Sequence, residues 1–141
     1  MSVIRRGILL CAAFWLPLLG VADNREDQLR AGLAAMDRQH YATAMRAWYD
    51  LASAGDPQAQ HNIGYLYEEG LGVTQQYDVA MDWYRRAAEG GLSEANHNLG
   101  MMYVEGRGAA KSWAQGLIHF RKAAAEGLIE GPSILSKDAK A

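Results

Sequence analysis

The stretch Ala59-x-x-x-Ile63-Gly64-x-Leu66-Tyr67-x-x-Gly70-x-Gly72 returns as Ala95-x-x-x-Leu99-Gly100-x-x-Tyr103-x-x-Gly106-x-Gly108, at an interval of 36 residues. The same interval carries Asn62 to Asn98, Ala87-Ala88 to Ala123-Ala124 and Gly91 to Gly127. A fixed period of this size signals stacked supersecondary units rather than one globular core. Such a stack offers an extended surface instead of a pocket, which favours a binding scaffold over an enzyme.

Each unit reads as two helices. Asp56 suits an N-cap and Pro57 the first helical position. Ala59, Ile63, Leu66 and Tyr67 follow at helical spacing, and Gly70-Leu71-Gly72 stops the helix. A loop to Tyr77 leads to a second helix with inward Ala80, Tyr84, Ala87 and Ala88, ended by Gly90-Gly91. The second copy repeats the plan to Gly127, with Ser112 and Gln115 as a capping box. Small residues at Gly64 and Ala80 let the paired helices approach, and Tyr67 and Tyr84 fill the remaining space.

Upstream, Ala44, Trp48, Ala52 and Gly55 precede Ala80, Tyr84, Ala88 and Gly91 by the same interval. Gly32 stands 12 positions before Ala44, whereas Gly64 stands 16 before Ala80, so the first inter-helix loop is about four residues shorter. Downstream, Leu128, Glu130 and Leu135 match Leu92, Glu94 and Leu99, but Pro132 replaces Asn96. A proline there predicts one short capping helix over 132–137 and a frayed tail beyond it.

Residues 1–22 read as a secretory signal peptide. Arg5-Arg6 gives a positive start, Gly7 to Val21 is apolar and uncharged, and Gly20 and Ala22 flank a cut before Asp23. The run is short for a bilayer span. Cys11 suggests a lipoprotein, but Leu10 precedes it where a small residue is wanted. A twin-arginine route is disfavoured by the strongly apolar Leu9, Leu10, Leu16, Leu18 and Leu19. Cleavage removes two of the 14 basic residues and none of the 16 acidic ones. The acidic balance argues against nucleic acid and against anionic membrane surfaces. The only cysteine leaves with the signal, so the exported chain is held by packing, without disulfide or metal.

These residues resemble the Sel1-like repeat, through Ala80-x-x-Trp83-Tyr84-x-x-Ala87-Ala88-x-x-Gly91 and Phe120-x-x-Ala123-Ala124-x-x-Gly127 as well as the first-helix motifs above. The second copy departs at Gly116 and His119, where the first has Ala80 and Trp83. Residues 23–55, with their shorter loop, are closer to a tetratricopeptide repeat. The resemblance implies an all-α, right-handed α-solenoid with helix pairs at 23–55, 56–91 and 92–127 and a cap and tail at 128–141. It also implies protein binding without catalysis: an adaptor in an envelope complex, or an immunity or regulatory protein in the periplasm. An exported, cysteine-rich subgroup binds or cleaves β-lactams. That makes a cell-wall-directed or β-lactam-directed enzyme the alternative, from which this cysteine-free mature chain departs.

Candidate chemistry is sparse. His61 and His97 stand one period apart, so they should share one surface, but no usual zinc-ligand spacing accompanies them. His40 falls in a turn and His119 on a second helix, without evident catalytic neighbours. Ser-x-x-Lys and Gly-x-Ser-x-Gly are absent from the mature chain. Gly70-Leu71-Gly72 and Gly106-Arg107-Gly108 follow helices rather than strands, so helix termination accounts for them better than phosphate binding. Glu68 and Glu69 are adjacent and cannot face each other on a helix.

In this class the first helices line the concave face. Registry with Gly64 and Gly100 places Gln58, His61, Tyr65, Glu68 and Glu69 outward there, followed by Glu94, His97, Met101, Val104 and Glu105. The upstream helix adds Glu26, Leu33 and Asp37. The expected face is acidic, with Tyr65 and Met101 as apolar anchors, and suits a partner with a basic or mixed basic-apolar surface.

Overall fold

The computed structural model describes residues 24–127. The segment read as a signal peptide and the expected capping helix over 132–137 lie outside the described residues. Among the described residues the fold is all helical: α1 (24–37), α2 (Tyr41–Ser53), α3 (Pro57–Glu69), α4 (Tyr77–Glu89), α5 (Ser93–Glu105) and α6 (Trp113–Ala125). These form three consecutive helix pairs, the arrangement of an α-solenoid.

Local chemistry explains the boundaries. Asp56 caps α3 by accepting from the Ala59 amide at 2.8 Å, with Pro57 in the first turn. Ser112 Oγ likewise accepts from the Gln115 amide at 3.2 Å. The reciprocal half of the expected capping box is replaced by backbone, since the Ser112 amide donates to the Tyr103 carbonyl at 2.8 Å. Gly70 and Gly106 end α3 and α5 in the left-handed conformation. Gly72 and Gly108 have a further role. A Cβ at Gly72 would meet Tyr41 at 2.7 Å, and one at Gly108 would meet the Tyr77 carbonyl oxygen at 2.6 Å. Each loop therefore rests against the start of the preceding unit's second helix. The α1–α2 connection spans only 38–40, against 70–76 and 106–112 in the other pairs, as the glycine spacing predicts.

Within each pair, a glycine on the first helix receives an aromatic ring from the second. A Cβ at Gly32 would lie 2.0 Å from Trp48, at Gly64 2.8 Å from Tyr84, and at Gly100 2.5 Å from Phe120. The core then forms at the junctions between units. Ala44, Trp48 and Ala52 of α2 pack with Ala59, Ile63 and Leu66 of α3. Ala80, Met81, Tyr84 and Ala87 of α4 pack with Ala95, Leu99 and Met102 of α5. Burying each large aliphatic side chain contributes about 1.5–3 kcal/mol. Tyr67 and Ala88, expected inside, are half-buried, and Tyr67 touches both clusters. Met81, not expected inside, is fully buried, while its counterpart Leu117 on α6 is exposed.

Candidate partner-binding face

The first helices α1, α3 and α5 present equivalent positions in succession. Leu33, Tyr65 and Met101 follow Gly32, Gly64 and Gly100 by one residue, and Asp37, Glu69 and Glu105 follow them by five. Leu33 and Tyr65 are exposed, at 53% and 43%. Met101 is half-buried. Asp37, Glu69 and Glu105 are all exposed, and Glu105 also pairs with Arg107 Nε at 2.5 Å. Glu26, at the start of α1, is exposed and lies 3.9 Å from Arg30.

Glu68 is the principal correction: it is buried, not outward. It lies one turn beyond Gly64, on the helix row that faces α4. Tyr84 donates its hydroxyl to Glu68 Oε2 at 2.6 Å, and Arg107 Nη1 donates to Oε1 at 2.6 Å. Burial, reinforced by the Glu68 carboxylate, pushes the Tyr84 phenol far above its ordinary range. Burial works against charge on Arg107, but Glu68 and Glu105 outweigh it and hold the guanidinium above its ordinary value. Glu68 therefore joins the first repeat to the loop of the second. The lone arginine within Gly106-Arg107-Gly108 was the sequence signal for this latch.

The remaining positions divide by burial. Gln58 is half-buried and donates to Asn62 at 3.2 Å. His61 is half-buried against the Tyr84 ring, and its Nε2 lies 3.0 Å from Asn98 Nδ2. Burial lowers its pKa, opposed by the hydrogen bond to Asn62 and by Glu94 and Glu68. His97 repeats the packing against Phe120 but is exposed. Glu94 and Val104 are half-buried. The two histidines occupy equivalent positions but do not present equal surface. Among the described residues, no group of three or more His, Cys, Asp or Glu side chains is placed to hold a metal ion. No described helix is long and apolar enough to cross a membrane.

A stack of consecutive helix pairs with equivalent positions repeated along its first helices is an α-solenoid of repeats. The Sel1 repeat model matches residues 57–92 and 93–128, and the chain belongs to that family. It is similar to a Sel1 repeat protein from Oxalobacter formigenes, with 37% identity and a TM-score of 0.64, over 67% of this chain and 39% of that one. It is also similar to c5321, a protective antigen of uropathogenic Escherichia coli strains displaying an SLR fold. That match has 30% identity and a TM-score of 0.69, over 82% of this chain and 26% of that one. The chain thus spans well under half the length of either structure. No curated protein matches it. Sel1 repeat proteins generally mediate protein–protein interaction.

Proposed function

We propose that this protein is exported to the periplasm and binds a specific exported protein partner through the strip formed by α1, α3 and α5. It acts there without catalysis, as an immunity or regulatory protein or as an adaptor in an envelope complex. The observation that carries the reading is the recurrence of exposed Leu33 and Tyr65 beside exposed Asp37, Glu69 and Glu105. Apolar anchors give affinity when buried by a partner. Their acidic surround steers a partner with a basic or mixed basic-apolar surface. Export rests on Arg5-Arg6, the uncharged run to Val21, and the small residues Gly20 and Ala22.

The test begins with affinity purification from periplasmic extract and mass spectrometry, and with N-terminal sequencing, which should read from Asp23. With the partner in hand, Tyr65→Ala should raise the dissociation rate and weaken binding by about 1–3 kcal/mol. Glu69→Lys with Glu105→Lys should instead slow association, more at low salt than at high salt. Unchanged affinity in both variants would move the site off this face.

A further inference from the structure

The second helices form grooves of their own, and the two grooves differ. Between α2 and α4, the Trp83 indole packs against the first core cluster, which includes Ala52 and Ile63. It meets the Tyr49 ring edge-on at 6.4 Å, and the Arg86 guanidinium lies 4.8 Å from its centroid. One period later, Tyr49 becomes Arg85, Trp83 becomes His119 and Arg86 becomes Lys122, while Ala52 and Ile63 become Ala88 and Leu99. The smaller His119 ring is held aside. It stacks on Tyr103 at 5.5 Å and 10°, with Nδ1 3.0 Å from Asn96 Oδ1. A groove with a volume of about 440 Å³ opens between α4 and α6, lined by Arg85, Lys122, His119, Ala88 and Leu99.

We propose that the α4–α6 groove is a docking pocket for an aromatic side chain carried by a protein partner, separate from the first-helix strip. The half-buried Ala88 supplies apolar contact, and the fully buried Leu99 backs the groove. Arg85 and Lys122 are exposed cations that can lie against a π face, as Arg86 does against Trp83. Arg85 is already oriented, with Nη1 2.7 Å from Asp82 Oδ1 and Nη2 3.4 Å from the Tyr103 hydroxyl. Burial, then the nearby Lys122 and Arg85, lower the His119 pKa, so the imidazole adds no competing charge at neutral pH. Glu89 and Glu126 also border the groove, and Glu126 is engaged by Asn96 at 3.1 Å. The two cations and the two acids balance one another, which matches a neutral aromatic ring better than a charged occupant. The occupant takes the place that Trp83 takes in the preceding unit.

The test is a backbone-amide NMR titration of the purified protein with capped Gly-Trp-Gly, Gly-Leu-Gly and Gly-Glu-Gly peptides. The tryptophan peptide should shift Ala88, Leu99, His119 and Lys122, binding about tenfold more tightly than the other two. His119→Trp, which refills the groove from within, should weaken that binding at least about tenfold. Arg85→Ser with Lys122→Ser changes only exposed side chains and should weaken it severalfold with the spectrum otherwise preserved. This double variant decides the matter if His119→Trp does not fold. Equal or tighter binding of the leucine or glutamate peptide overturns the proposal. So do shifts confined to the Tyr65 strip, undiminished binding by the variants, or no binding at all.

Discussion

The two Sel1 repeats share a backbone plan but differ in what joins their helices. In the first, Tyr84 packs on Gly64 and donates to Glu68, with Arg107 arriving from the next loop. In the second, the same positions are Phe120, Gly100 and Val104, a wholly apolar contact. The exchange extends to the facing helix. Ala80 becomes Gly116, and a Cβ at Gly116 would lie 2.6 Å from Val104 Cγ2. The branched valine occupies space that the first repeat gives to an alanine methyl. A helix pair can thus be closed by a polar latch or by hydrocarbon, provided the partner positions change together. The latch sits where another unit follows within the described residues, and it binds that unit's loop.

The comparison breaks most severely at what the repeats have in common. Gly64→Leu places its side chain against Tyr84, already 2.8 Å from a Cβ, and should cost about 3 kcal/mol. Gly100→Leu, against Phe120, should cost a similar amount. Urea denaturation followed by circular dichroism measures both. A loss below about 1 kcal/mol would show that the pair can splay apart without penalty.

Glu68 sharpens the contrast. Glu68→Ala leaves the buried Tyr84 hydroxyl without its acceptor and the half-buried Arg107 with Glu105 alone, and should cost about 2 kcal/mol. Val104→Ala should cost only about 1 kcal/mol, since it removes hydrocarbon from a half-buried site. Transplanting the second repeat's chemistry with Glu68→Val, Tyr84→Phe, Ala80→Gly and Arg107→Leu should recover most of the Glu68→Ala loss. If the transplant is worse than the single change, the latch does more than satisfy its own polar groups.

Gly116 gives a smaller effect. Gly116→Ala should destabilise by about 1–2 kcal/mol through overpacking against Val104. Paired with Val104→Ala, it should cost less than the two single losses together. Strict additivity in that double-mutant cycle would show that the two positions do not share the space.

The repeat, the helix pairs, the Asp56 cap and the shorter first loop were all legible in the sequence. Each depends on local chemistry or on a spacing that recurs. Periodicity also placed Leu33, Tyr65, Glu69 and Glu105 on an exposed face. The same registry with Gly64 put Glu68 outward, wrongly: a residue four positions after the glycine lies on the same helix row and faces α4. The burial of Met81 depends on α5 arriving from the next unit, which no pattern within α4 reveals. The departures at Gly116 and His119 were visible as departures. Their meaning required the spatial neighbours Val104 and Tyr103, one on the facing helix and one beneath the imidazole.

The gentlest way to separate the repeats is pH. His61 and His119 both have pKa values below the ordinary 6.5, each chiefly through burial. In the unfolded chain they take up protons from about pH 6.5 downward, while in the fold they resist until lower pH. The unfolded state therefore binds more protons in that window. Stability is full above about pH 6.5 and falls as the pH drops towards the lowered folded values. His61→Gln removes the contribution at the junction of α3 with α4 and α5, and His119→Gln the one at the α4–α6 groove. Each should flatten the dependence of urea midpoint on pH between neutral and about pH 5.5, and the double variant should flatten it further. The His61 change should act more strongly, since its ring lies against Tyr84 and beside Asn98, deeper than His119. An unaltered slope in the double variant would show that other groups carry the acid sensitivity. A slope of opposite sign in the wild type would mean that the fold stabilises the charged imidazoles rather than excluding them.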